Sequence, residues 1–294
     1  MPTLVAEAAG LHLRRTLDSG QAFRWRWSLA PDGGRVATGI VGSQVFCLTQ
    51  DARGLWLLSP ETPEGRRVLR RYLGMAARHR GGLARIEAAL ETDPVLARIL
   101  PHTRGISLLA QDPWEVLISF IISQNNNIPK IAQSIERLAR ALGEPLAGPH
   151  GPGGDRFYTF PAPERLAAAH PHTLRACLLG YRAPYVRAAA RMVAGGEIDL
   201  GAVRRLPADA ARNALLRVPG VGEKVGDCIL LFGLRRTSSF PVDVWVRRAV
   251  ERLYFQRHPR RDKEIRAFAQ ERFGPLAGYA QQHLFTYARA FLRA

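Results

Sequence analysis

The hydrophobic period of this chain changes once along its length, and that change restricts the folds open to it. Up to residue 59 the apolar residues fall in short runs rich in β-branched and aromatic side chains: RVATGIV (Arg35–Val41), QVFCLTQ (Gln44–Gln50) and GLWLLS (Gly54–Ser59). GS and DARG separate them, so they read as an antiparallel meander, and FRWRW at residues 23–27 is positioned to add a further strand. Helical segments are expected between about residues 64 and 100. From Gln111 onward the spacing is helical. Trp114, Leu117, Ile118 and Ile121 mark a helix buried on most sides, and Ile128, Ile131, Ile135, Leu138 and Leu142 mark a second.

The second of these carries its own boundary signals. Asn127 is the expected N-cap, Pro129 is tolerated in the first turn and Gly143 is a stop. GPHGPGGD at residues 148–155 is expected to be a flexible loop, followed by helices at 163–179, 184–194, 208–217, 223–233, 244–254, 263–273 and 278–292. The fold class is therefore α+β. An N-terminal antiparallel β-sheet domain with helices is expected over residues 1–105, and an all-α body over residues 106–294, with a helical hairpin at 208–233.

Charge narrows the partners. Forty-two Lys and Arg against 25 Asp and Glu give a net +17 and a pI near 11.0. This excess, spread through the folded body, favours a polyanion such as nucleic acid. No apolar run approaches the ~18 residues of a membrane span, and the opening residues lack the basic-then-apolar order of a secretory signal. Cys47, Cys177 and Cys228 are odd in number and far apart, which disfavours a disulfide framework and a compact metal centre, and places the chain in a reducing cytoplasm. His170 and His172, flanking Pro171, read as solvated loop residues rather than zinc ligands.

Within the hairpin, VPGVGEKVGDCI (Val218 to Ile229) joins two helical patterns through Gly220 and Gly222. Both glycines are expected to permit positive φ and close backbone approach, and the N–H groups that open the second helix form an anion site. A structural turn between two packed helices is the plainer alternative. Lys224 falls in the first turn of that second helix, where the macrodipole disfavours an ammonium. Neutralising an amine of ordinary pKa near 10.4 at neutral pH costs about 4 kcal/mol, and a helix N-terminus with partial burial lowers that cost. A neutral amine there is a candidate nucleophile for sugar carbon, forming a Schiff base; a phosphate-binding lysine is the bland alternative. In SSFPVDVWVRR, Asp243 can cap the helix that starts near Val244, and a carboxylate facing the amine can take its proton or stabilise a cationic sugar.

VPGVGEKVGDC followed by FPVDVWVRR resembles the helix-hairpin-helix DNA glycosylases of the HhH-GPD superfamily, in the lysine-bearing variant that excises a base and then nicks the strand. LDSGQAFRWRW, QDPWEVLISFIISQNNNIPKI, LGYRAPYV and GYAQQHLF narrow the resemblance to the 8-oxoguanine DNA glycosylase branch, over residues 17–285. The resemblance implies base excision repair of duplex DNA containing oxidised guanine, by a monomer in the cytoplasm, or on the nucleoid if bacterial. Lys224 and Asp243 would be catalytic. No cofactor is implied, and no metal takes part chemically, although a structural monovalent cation can sit at the hairpin.

The same resemblance assigns the remaining roles. Gly20 would present its carbonyl to N7–H of the oxidised base, which normal guanine lacks. Gln281 would read the base edge, Phe285 would stack on it, and Cys228 would line the pocket. Tyr181 would wedge into the stack, while Asn125, Asn126, Lys130 and Arg182 would serve the estranged cytosine. Gly220, Val221 and Gly222 would hold DNA phosphate. Without the resemblance, Phe285 and Cys228 read as core, and the NNN run as a polar corner that caps a helix. Lys130 departs from the arginine of better-known members and lacks its planar fork, which predicts a looser preference for cytosine. Trp245 replaces a frequent histidine near the phosphate, and the cysteine cluster of the iron–sulfur branches is absent. Two other readings stay open: a glycosylase for another damaged purine, and a non-enzymatic hairpin module that binds DNA.

Overall fold

The computed structural model describes residues 2–7, 10–75, 82–148 and 156–292. The chain opens with β1 (Thr3–Glu7) and a short helix α1 (Leu13–Leu17), then runs through β2 (Trp25–Leu29), β3 (Arg35–Val41), β4 (Gln44–Gln50) and β5 (Gly54–Ser59). Across the sheet the order is β1-β5-β4-β3-β2, with every neighbour antiparallel. The three expected runs form β3, β4 and β5. β1 is an addition that closes the β5 edge; five residues with no turn signal behind them carry too little pattern to be read as a strand. β2 starts two residues later than FRWRW suggests. Phe23 packs edge-on against Phe120 at 5.6 Å, and Arg24 turns inward to donate to the Tyr158 carbonyl at 2.5 Å, so both leave the sheet for the helical body.

The remaining elements are α2 (Pro63–Tyr72), α3 (Gly82–Leu90), α4 (Pro94–Thr103), α5 (Pro113–Ile122), α6 (Ile128–Leu142), the two-residue strands β6 (Pro145–Leu146) and β7 (Phe157–Tyr158), α7 (Pro163–Ala167), α8 (Pro171–Ala176), α9 (Ala183–Ala194), α10 (Leu200–Arg205), α11 (Ala208–Leu216), α12 (Glu223–Cys228), α13 (Val244–Tyr254), α14 (Asp262–Phe273) and α15 (Ala277–Phe291). Side-chain caps fix the starts of several helices, the expected Asn127 among them. The Asp112 carboxylate accepts from Trp114 N–H at the start of α5, and the Asn127 side chain accepts from Lys130 N–H at the start of α6. The expected helix at 163–179 is interrupted between α7 and α8, where Pro171 opens a new helix and His170 is its N-cap, accepting from His172 N–H. α10 and the β6–β7 pair were not foreseen. Residues 149–155 of the expected glycine-rich loop lie outside the described residues.

The described residues form two apolar cores. The smaller packs Phe46, Leu48, Leu55 and Leu57 of the sheet against Leu69 and Leu73 of α2 and its C-cap. The larger surrounds α5, whose residues from Trp114 to Ile122 are all buried apart from Glu115. A boundary after residue 105 is proposed as the division along the chain, but packing crosses it. Leu96, Ile99 and Leu100 of α4 belong to the larger core, and Asp93, the N-cap of α4, accepts from the Tyr254 hydroxyl at 2.9 Å and pairs with Arg272. Cys47, Cys177 and Cys228 are buried free thiols. Among the described residues no helix is long and apolar enough to cross a membrane.

Candidate active site

The hairpin reverses direction at one residue. Gly220 has φ +83°, and a Cβ there would lie 2.7 Å from Cβ of Tyr185, so the position needs glycine for both conformation and space. Gly222 differs from expectation: its φ is −89° and a Cβ there would meet nothing within 4 Å. A single left-handed residue completes the turn, and Gly222 is the N-cap of α12 with an open face. Val221 is buried, so only its backbone is offered outward. An open groove of about 330 Å³ runs along this backbone beside Gln124 and Tyr185.

α12 delivers Lys224 into a cavity of about 980 Å³ lined also by Gly20, Phe120, Cys228, Asp243, Gln281 and Phe285, with Asn125 and Asn126 beside it. Residues from α12, the α13 cap, α15 and the segment after α1 therefore meet in one place. Lys224 is half-buried, with Nζ 5.3 Å from the centroid of Phe120, whose ring stacks on Phe232 at 5.4 Å. Cys228 follows one turn later. Burial pushes its thiol up to about 12 against the pull of the Lys224 charge, so it is a protonated wall at neutral pH.

Asp243 Oδ1 accepts from Trp245 N–H at 3.0 Å and Val246 N–H at 2.8 Å, which makes it the cap of α13. Burial raises its carboxyl above the ordinary value, while those N–H groups and Lys224 act in the opposite direction. Gln281 is buried and held by its neighbours: its Nε2 donates to Pro241 O at 3.3 Å, and its Oε1 accepts from Gln282 Nε2 at 2.9 Å. Phe285 stands one turn along α15, with the Arg289 guanidinium 5.3 Å from its ring centroid. Gly20 has φ +78° and faces this ring.

The asparagine corner is a worked assembly. Asn125, at φ +47°, donates from Nδ2 to the Tyr181 hydroxyl at 3.1 Å. Tyr181 is 52% exposed beside the cavity mouth. The amide of Asn126 folds back, donating to Ile122 O at 3.2 Å and accepting from Asn127 N–H at 3.0 Å. Lys130 is exposed on the first turn of α6 and does not line the cavity. Arg182 differs most from expectation. It is only 8% exposed, and its guanidinium donates to the carbonyls of Gln124, Asn125 and Leu179. Buried donors take the nearest acceptors, and here those are the carbonyls that hold the corner in shape.

Sequence reading passed over Gln124 and Phe120. Gln124 Nε2 donates to Gly220 O at 2.9 Å while its own carbonyl takes Arg182 and the Tyr181 hydroxyl, so one residue ties corner to hairpin. Its only signal is a polar residue two positions past the end of an apolar helix. Phe120 was indistinguishable from its apolar neighbours.

A lysine and a carboxylate thus face one cavity beside a glycine hairpin. Residues 118–275 match the model of the HhH-GPD superfamily of base excision DNA repair proteins, and the chain belongs to that superfamily. Residues 3–117 match the model of the 8-oxoguanine DNA glycosylase N-terminal domain. The chain is 37% identical over 220 residues to a probable N-glycosylase/DNA lyase of Methanothermobacter thermautotrophicus, covering 67% of this chain and 68% of that one. It is 31% identical to the N-glycosylase/DNA lyase of Saccharomyces cerevisiae, covering 85% and 70% respectively. The crystal structure of Clostridium acetobutylicum 8-oxoguanine glycosylase/lyase, in complex with double-stranded DNA containing cytosine opposite 8-oxoG, superposes with a TM-score of 0.87. Identity to it is 31%, over 100% of this chain and 99% of that chain.

Proposed function

We propose that this protein excises 8-oxoguanine from duplex DNA and then cleaves the strand at the abasic site, as a bifunctional glycosylase/lyase of base excision repair. The observation that carries the reading is the convergence of Lys224 and Asp243 on one cavity whose far wall is Gly20 and Phe285. In this reading the lone pair of Lys224 Nζ attacks C1′ of the flipped nucleotide while Asp243 stabilises the cationic sugar. The C1′–N9 bond breaks, and the base leaves with that electron pair and takes up a proton. The added nitrogen then gives up its protons, one to solvent and one to O4′, as the C1′–O4′ bond opens to an imine and a free 4′-hydroxyl. Removal of a C2′ proton then expels the 3′ phosphate by β-elimination, and water releases the lysine.

The supporting parts have matching chemistry. The Gly20 carbonyl accepts from N7–H of the oxidised base, Gln281 reads its edge, Phe285 stacks on it and Cys228 fills the wall behind Lys224. Tyr181 enters the stack with Asn125 and Asn126 beside the orphaned cytosine, and Arg182 supports that corner from below. Lys130 approaches from the α6 side. Backbone at Gly220, Val221 and Gly222 takes a phosphate. Carbonyls of Val218 and Gly220 accept from Val221 N–H and Gln124 Nε2, and each oxygen keeps a second lone pair for a structural monovalent cation. The protein is expected to act as a monomer in the cytoplasm.

Borohydride trapping on a duplex containing 8-oxoguanine tests this. The wild-type chain is expected to give a covalent protein–DNA adduct, and Lys224→Gln none while still binding DNA. A wild-type chain that binds the duplex without forming an adduct or releasing base would instead be a non-enzymatic hairpin module.

A further inference from the structure

α12 runs on without a break into a π-helical turn over Ile229–Gly233, but Gly222 gives its N-terminus no side-chain cap, so the first turn that bears Lys224 relies on contacts from outside to fix its direction. Two of its side chains are gripped from outside. Glu223 and Asp227 lie one turn apart on one face, and Arg266 of α14 reaches both, pairing with Glu223 Oε2 and standing 3.9 Å from Asp227 Oδ2. Asp227 is fully buried and is also held by Arg212 of α11. Lys224 and Cys228, likewise one turn apart, occupy the adjacent face, and the cavity they line is also bordered by Glu223, Arg247, Asp262 and Arg266. Asp262 stands one turn before Arg266 on α14 and accepts from Arg247 Nε and Nη2 of α13 at 3.0 and 2.7 Å. Asp243 is the cap of that same α13.

We infer that the Asp262–Arg266 face of α14 is a strut that sets the position of Lys224 relative to Asp243, with Arg266 as its chief positioning residue. One end of the strut fixes the helix bearing the amine and the other the helix capped by the carboxylate. Neither Arg266 nor Asp262 takes part in bond making. This inference rests on the reading of Lys224 as the nucleophile. A reacting pair misplaced by about 1 Å can lose on the order of a hundredfold in rate, which is the kind of error a released α12 would introduce.

Single-turnover excision and borohydride trapping on 8-oxoguanine duplex, beside the dissociation constant by fluorescence anisotropy, separate the outcomes. Failure of the wild-type chain to trap would defeat the assignment of Lys224 itself. Given a trapping wild type, Arg266→Gln is expected to lower the single-turnover rate about tenfold or more with affinity within about twofold, and Arg266→Lys to recover most of the rate. Glu223→Gln alters an exposed side chain and spares the buried pair. It is expected to slow the reaction about threefold without changing the unfolding temperature, which guards against loss of fold in the Arg266 variant. Wild-type rates in Arg266→Gln and Glu223→Gln would overturn the strut. So would a rate loss matched by an equal loss of affinity, which would make Arg266 a DNA contact.

Discussion

A Cβ built on Gly20 would lie 3.0 Å from Cε1 of Phe285, so a side chain there would press on the ring and push it back by a few tenths of an ångström. With φ at +78°, Gly20→Ala adds backbone strain of about 1 kcal/mol or more to that crowding. Excision of 8-oxoguanine by this variant is expected to fall about tenfold or more, while nicking of a preformed abasic site, which presents no base to the wall, falls far less. Parallel assays on the two substrates check this, and equal losses would remove the base-recognition role from Gly20.

Asp243 combines a cap with a charge, and two substitutions separate them. Asn caps nearly as well as Asp, so Asp243→Asn is expected to keep the unfolding free energy within a few tenths of a kcal/mol and to lose about a hundredfold in excision rate. Asp243→Ala should lose the rate and also about 1 kcal/mol of stability. Because burial raises this carboxyl, it protonates at a higher pH than an ordinary aspartate, and the rate should fall on its acid side correspondingly earlier as pH drops. A pH–rate profile of the wild type whose acid limb lies at or below the ordinary aspartate value would contradict the assignment.

Lys130 is exposed beside the asparagine corner and presents a point charge where a planar fork would hold two hydrogen bonds. Lys130→Arg is expected to raise the preference for cytosine over the other bases opposite the lesion by about tenfold. An opposite-base excision series measures it; an unchanged ranking would show that Lys130 does not read the partner base.

His283 is fully buried on α15, with Nδ1 2.9 Å from Thr103 Oγ1 of α4, and burial lowers its pKa from 6.5 to about 4. The unfolded chain therefore binds the proton first. The contribution is complete above pH 6.5 and is lost as pH falls towards 4, amounting to on the order of 3 kcal/mol. His283→Asn lacks this titration, so the stability difference between the two chains should shrink by about that amount from pH 7 to pH 4. Urea unfolding at stepped pH tests it, and a constant difference would place the acid sensitivity elsewhere.

Much of this molecule was legible before any coordinates. The strands β3, β4 and β5 were bounded by turn residues, α5 was marked by its apolar spacing and α6 by Asn127 and Gly143, and Lys224 was out of place for a helix start. These are local facts, because a turn, a cap or a period is settled by residues within a few positions of one another. Tertiary structure decided what depended on distant neighbours. Arg182 lies under the corner instead of facing outward because the carbonyls of Gln124 and Asn125 are the acceptors it meets in the fold. Gly222 proved free of the constraint that Gly220 obeys, since only Gly220 has Tyr185 against it. The bridging of α12 to α13 through Asp262 and Arg266 joins residues with no common motif. Sequence therefore named the candidate reactive groups, and the packing of separate helices set where each one points, because side-chain direction depends on contacts that spacing along a chain does not encode.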